Sequence, residues 1–164
     1  LVSKGYSRFY CLAGPVKIVS NAAARLNGFT ETLKLHGIPD SACETYYGDF
    51  TFASGLALMK EVLRTYQPDN KPAAAFVSSD IMAWGAMEAL KEKKFKMPRD
   101  MGIVGYDNIY FSNLLYPKLT TVENPIREMS VNATNLMLDA LERKRKLQGF
   151  SVALRSALIV RASC

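Results

Sequence analysis

Histidine is almost missing from this sequence. Among 164 residues there is one, His36. It stands just before Gly37, where a helix is expected to stop, so it reads as a C-terminal helix residue rather than a catalytic base. Cysteine is nearly as scarce. Cys11, Cys43 and Cys164 have no metal-ligand spacing, and an odd count without a framework suits a reducing compartment. No metal site is expected. No apolar run approaches the roughly 20 residues needed to cross a bilayer, and no leader segment is visible. We therefore expect a cytoplasmic chain with no membrane partner. There is no Gly-x-Ser-x-Gly elbow, no Walker motif and no Gly-x-Gly-x-x-Gly after a strand. The acids present end separate runs, which is weak support for paired general acid–base work. The expectation is no enzyme, no catalytic residue and no cofactor.

What is present is a core. Hydrophobic residues make up 49% of the chain, enough for one domain or one large subdomain. The net charge is +6, but the cations are scattered. The one dense run, "ERKRK" at 142–146, falls where a helix should end and complements its dipole. The basic balance therefore reads as solvated surface rather than as a nucleic-acid interface.

Short apolar runs alternate with longer amphipathic segments. Strands are expected at 8–13, 42–49, 73–79 and 102–107, and helices at 22–37, 52–66 and 81–94. Leu26, Phe29 and Leu33 form one helical stripe; Phe52, Leu56, Met59, Leu63 and Tyr66 form another. Strand–helix alternation with short connections gives βαβ units, hence an α/β fold with a parallel sheet flanked by helices on both faces. The strands are apolar throughout because both faces are covered. After Asp107 comes a long connection with a short extended piece at Leu119–Val122. A helix at 126–146 follows, with a stripe of Ile126, Met129, Ala133, Leu136, Met137, Ala140 and Leu141. A last strand is expected at about 156–161. There is no internal repeat or low-complexity segment.

In open parallel sheets, ligands bind beyond the carboxyl ends of the strands. Asp107 ends one strand there. Ser78, Ser79 and Asp80 follow another, and Asp49 and Phe50 a third. Arg25 is delivered by the first turns of a helix. A guanidinium fork, carboxylates, hydroxyls and an aromatic face suit a polar, polyhydroxylated small molecule. Each residue has a plainer role open to it: Asp80 as a helix N-cap, Asp49 as a turn or cap residue, Phe50 as core, and Arg25 with Asp107 as an ordinary ion pair.

The run "FVSSDIMAWGAMEALKEKKFKMPRDMGIVGYDN", followed by "YPKLTTVENP", closely resembles the effector-binding core of the LacI/GalR family of transcriptional regulators. "KGYSRFYCLAGP", "ARLNGF" and "LIVRASC" fit the same family, so the resemblance covers essentially the whole chain. It implies a periplasmic-binding-protein-like architecture. Residues 1–118 and 156–164 would form the C-terminal subdomain. Residues 119–155 would be the crossover and helix that pack with an N-terminal subdomain. The DNA-binding headpiece is absent from this stretch. It implies ligand contacts for Arg25 (hydroxyls or a carboxylate), Asp107, Phe50 (stacking), Ser79 and Asn124. At Ser79 some members carry asparagine, so that contact is shorter here.

The implied partners are a small effector (a sugar, phosphosugar or purine-like molecule), a second copy of the chain, and operator DNA only through the headpiece. The function implied is effector sensing by a repressor. An exported solute-binding receptor is the alternative, which "YPKLTTVENP" and "LIVRAS" disfavour, and a sugar-isomerase-like enzyme is a third reading. Two expectations follow for the chain by itself. It should lack specific operator affinity. The stripe of helix 126–146 should either repack on the body or pair with a second copy.

Overall fold

The computed structural model describes residues 1–66, 72–142 and 151–164. Strands β1 (Arg8–Ala13), β2 (Cys43–Tyr47), β3 (Ala73–Val77), β4 (Met101–Asp107), β5 (Thr120–Glu123) and β6 (Ala157–Ile159) form one sheet in the order β2-β1-β3-β4-β5-β6. The first five run parallel, with Leu12 beside Val77 and Val104 beside Thr120. β6 pairs antiparallel to β5, Val122 opposite Leu158. The helices are α1 (Ser20–Leu35), α2 (Phe52–Thr65), α3 (Asp80–Glu92) and α4 (Ile126–Glu142). The basic run expected to close the last helix lies, from residue 143 on, outside the described residues.

Both faces of the central strands are buried, as their unbroken apolar sequence requires. Tyr10, Leu12, Val77, Met101 and Ile103 pack with Met59, Val62, Met82 and Met87 of α2 and α3. The opposite face carries Phe9, Cys11, Phe76 and Val104 against Leu26, Phe29 and Leu33 of α1. Phe29 stacks on Phe76 with ring centroids 5.3 Å apart. Helix α1 ends as expected at His36, whose backbone N–H caps the last turn and whose Nδ1 lies 2.9 Å from the Thr32 carbonyl.

Helices α2 and α3 approach closely through glycine. A Cβ on Gly55 would fall 2.1 Å from the Met82 carbonyl oxygen, and one on Gly85 would fall 2.1 Å from that of Phe52. Their starts are capped in the same way: Thr51 Oγ1 accepts from Ser54 N, and Ser79 Oγ accepts from Met82 N. Such a cap contributes about 1 kcal/mol. Asp80 is therefore not the N-cap that the sequence suggested. It is the first helical residue, and Ser79 caps.

Helix α4 is different. No residue of it is buried, and Met129, Met137 and Leu141 are 50%, 60% and 73% exposed. Its apolar stripe has not repacked on the body.

Candidate ligand-binding site

Arg25 sits on the second turn of α1, over the carboxyl ends of β3 and β4. Its Nη1 donates to the Ser78 carbonyl, and its Nη2 lies 3.3 Å from Asp107 Oδ1. The side chains of Arg25 and Asp107 keep only 12% and 24% of their exposure. The guanidinium carbon lies 3.8 Å from the Tyr106 ring centroid and 5.9 Å from that of Phe50. A cation on an aromatic face in this half-buried setting gains about 0.5–2 kcal/mol. The guanidinium is thus fixed by a carbonyl, a carboxylate and a ring. Only two of its five N–H donors are engaged among the described residues.

Adjacent residues of a strand point to opposite faces, yet Tyr106 and Asp107 both reach Arg25. Asp107 has φ 115° and Asn108 has φ 53°. Positive φ at two successive non-glycine residues is costly and is held only by surrounding contacts. It breaks the alternation and turns the carboxylate toward α1. Asn108 is held from both sides: its Nδ2 donates to Glu123 Oε1 at 3.1 Å, and its Oδ1 accepts from Arg161 Nη2 at 2.7 Å. Burial raises the Asp107 pKa above the usual carboxylate range. The Arg25 charge opposes that rise, the Asp80 charge adds to it, and hydrogen bonds from Arg25 and Asn124 oppose it.

Phe50 is also at positive φ, 69°. Its ring lies against Gly14, where a Cβ would come within 2.2 Å of it. The flanking residues brace it. Asp49 Oδ1 accepts from Thr51 N at 3.0 Å and from Thr51 Oγ1 at 2.7 Å. Hydrogen bonds from the Thr51 and Ser54 hydroxyls, then from the Thr51 amide, hold the Asp49 carboxyl down at about 2. Asp49 is a turn residue, as one sequence reading had it.

The structure thus gathers Arg25, Asp107, Phe50 and Asn124. Asn124 joins through its bond to Asp107 and by lining, with Arg25, Tyr106 and Met129, an open depression of about 510 Å³. Ser79 is close by in sequence to the Ser78 carbonyl that holds Arg25, but it is buried and its oxygen serves the α3 cap. Tyr106 is the residue sequence reasoning missed. Alternation from Val104 already sets it on the α1 face, where Arg25 lies, but the strand-end argument looked only at the acid that follows it.

Comparison with known proteins gives a consistent picture. Residues 1–164 match the periplasmic binding protein-like domain model. The chain is 35% identical over 163 residues to the HTH-type transcriptional repressor CytR of Escherichia coli K12, covering 99% of this chain and 46% of that protein. It therefore spans about half the length of the curated relatives it matches. Among solved structures it resembles a LacI family transcriptional regulator from Enterococcus faecium with bound ribose (TM-score 0.88, 28% identity, 99% of this chain and 58% of that one). It also resembles the Lac repressor dimer bound to operator and an anti-inducer (TM-score 0.84, 28% identity, 99% and 54%).

Proposed function

This chain belongs to the LacI/GalR family of transcriptional regulators and forms part of their effector-binding core, and from that we propose that it senses a sugar at the Arg25–Asp107 rim. The observation that carries the reading is the clamped guanidinium. Fixed by Ser78, Tyr106 and Asp107, Arg25 presents its remaining donors with little rotational freedom left to lose. Asp107 accepts from sugar hydroxyls, and Phe50 covers an apolar ring face. Asn124 contributes a further polar contact. Ser79 donates its hydroxyl proton, whose oxygen alone serves the helix cap. The ribose-bound relative supports a sugar ahead of a phosphosugar or purine-like molecule.

The rest of the regulator follows the same reading. Residues 1–118 and 156–164 are one jaw of a cleft. The crossover, 119–155, begins in this sheet as β5 and leaves through α4, whose bare stripe packs with the other subdomain. A ligand that binds the closed cleft better shifts the population of DNA-competent molecules, and operator contact is made elsewhere in the protein. A second copy covers the aromatic face of Trp84, Tyr110, Phe111 and Leu114, where Phe111 and Leu114 are 51% and 57% exposed. The protein works in the cytoplasm without catalysis.

A thermal-shift screen of the intact protein against sugars, phosphosugars and nucleobases tests the proposal. At 100 times its dissociation constant, a bound effector stabilises by about 2.7 kcal/mol, so a free sugar should raise Tm by several degrees. A rise only with nucleobases, or turnover of any sugar phosphate, would contradict it.

A further inference from the structure

Asp80 is 1% exposed, and it is not spent on capping. Its Oδ2 accepts from the Ser112 hydroxyl and from Ile109 N at 3.0 Å, and its Oδ1 accepts from Thr121 Oγ1 at 2.6 Å. No cation pairs with it among the described residues. It lies directly on β4: a Cβ on Gly105 would be 2.2 Å from Asp80 Oδ1. A buried carboxylate is costly unless donors surround it, and here two of the three donors belong to one short segment, residues 107–113. That segment starts at Asp107, facing Arg25. It ends in a single 3-10 turn, Tyr110–Asn113, that stacks Phe111 on Trp84 with ring centroids 5.9 Å apart. Trp84 in turn stands one helical turn after Asp80 on α3.

We propose that Asp80 is the positioning residue of the rim: by tying down Ile109 and Ser112 it sets Asp107 toward Arg25 and Phe111 against Trp84, making the rim and the aromatic face one rigid unit. The inference rests on Asp107 belonging to the binding rim. It explains how two positive φ angles persist at Asp107 and Asn108: the amide following them is anchored to a buried anion whose hydrogen bonds are stronger for its charge. It also links the ligand-facing carboxylate to an exposed aromatic surface through one side chain.

Asparagine at residue 80 would set an NH2 group or a weaker oxygen against the Ile109 amide. The test measures amide hydrogen exchange at Ile109 and fluorine NMR of fluorotryptophan-labelled intact protein, with the Trp84 signal assigned by Trp84→Phe. Asp80→Asn and Ser112→Ala should each speed Ile109 exchange about tenfold or more and shift the Trp84 signal. Ser163→Ala is the control. It removes another buried hydroxyl of the same sheet, one that accepts from Thr120 N and donates to the Ile103 carbonyl. It should lower Tm and move neither readout. If Asp80→Asn fails to fold, Ser112→Ala decides alone. Unchanged Ile109 exchange and Trp84 signal in the folded variants, or equal changes in Ser163→Ala, would overturn the proposal. No ligand enters these measurements, so failure to bind a sugar and failure of this linkage are separate results.

Discussion

A carboxylate that ends a core strand has two opposite claims on its proton. Burial favours neutral Asp107, while Arg25 and Asn124 favour the anion, and burial prevails. Glu123 stands beside it in register on β5, and Asp80 faces it from α3. The sign for stability follows directly. With its folded pKa raised, Asp107 holds a proton more tightly folded than unfolded. Its contribution to stability is full at low pH and is lost as pH rises through the folded value. Sugar binding has the other sign, because hydroxyls need the anion as acceptor. Effector affinity should therefore fall as pH drops through the raised Asp107 range, while the ligand-free protein loses no stability through this group. Calorimetric titration at a series of pH values, with Asp107→Asn alongside, checks this. The variant should bind weakly with no acid limb of its own, and its ligand-free stability should differ by no more than about 1 kcal/mol, the range of a partly exposed ion pair.

At the scale of elements, periodicity carries most of the fold. The strand at 8–13 appears with the bounds its apolar run suggests, and among the described residues the other strands and helices differ only at their ends, the expected end of the last helix lying outside those residues. What periodicity does not encode is direction. Nothing in "ALRSALIVRAS" says that β6 runs against β5. Nor does composition decide between neighbouring caps, since Ser79 and Asp80 are both good N-cap residues and only the backbone at Ser79 is extended. The rim was legible at Arg25 and Asp107, because strand ends locate it. Tyr106 was not singled out: it shares the α1 face with Val104, but its place beside the Asp107 carboxylate depends on the positive φ at Asp107, a tertiary feature that overrides alternation. The α2–α3 contact offers its own test. Gly85→Ala would drive a Cβ into the Phe52 backbone carbonyl, with no flexible side chain to yield. Chemical denaturation should show a loss of about 1–3 kcal/mol, and an unchanged midpoint would contradict the close crossing.

For the molecule as a whole, two surfaces stand out: the exposed stripe of α4 and the aromatic face at Trp84 and Phe111. The stripe has not folded back on the body, which leaves pairing as the remaining expectation for this 164-residue chain by itself. Met137→Glu with Leu141→Glu should weaken concentration-dependent association in sedimentation, leaving only pairing through the aromatic face, with stability changed by no more than about 0.5 kcal/mol because nothing buried is touched. Association that persists unchanged would show that α4 is not the contact. The most direct test of the account concerns Arg25 itself. Titrating the effector identified by thermal shift into the intact protein, and into Arg25→Lys, compares a flat, ring-backed fork with a point charge of the same sign. The account predicts binding of one sugar per chain that weakens at least about tenfold in Arg25→Lys, the loss of one charge-assisted hydrogen bond. Equal affinity in the two proteins would contradict it.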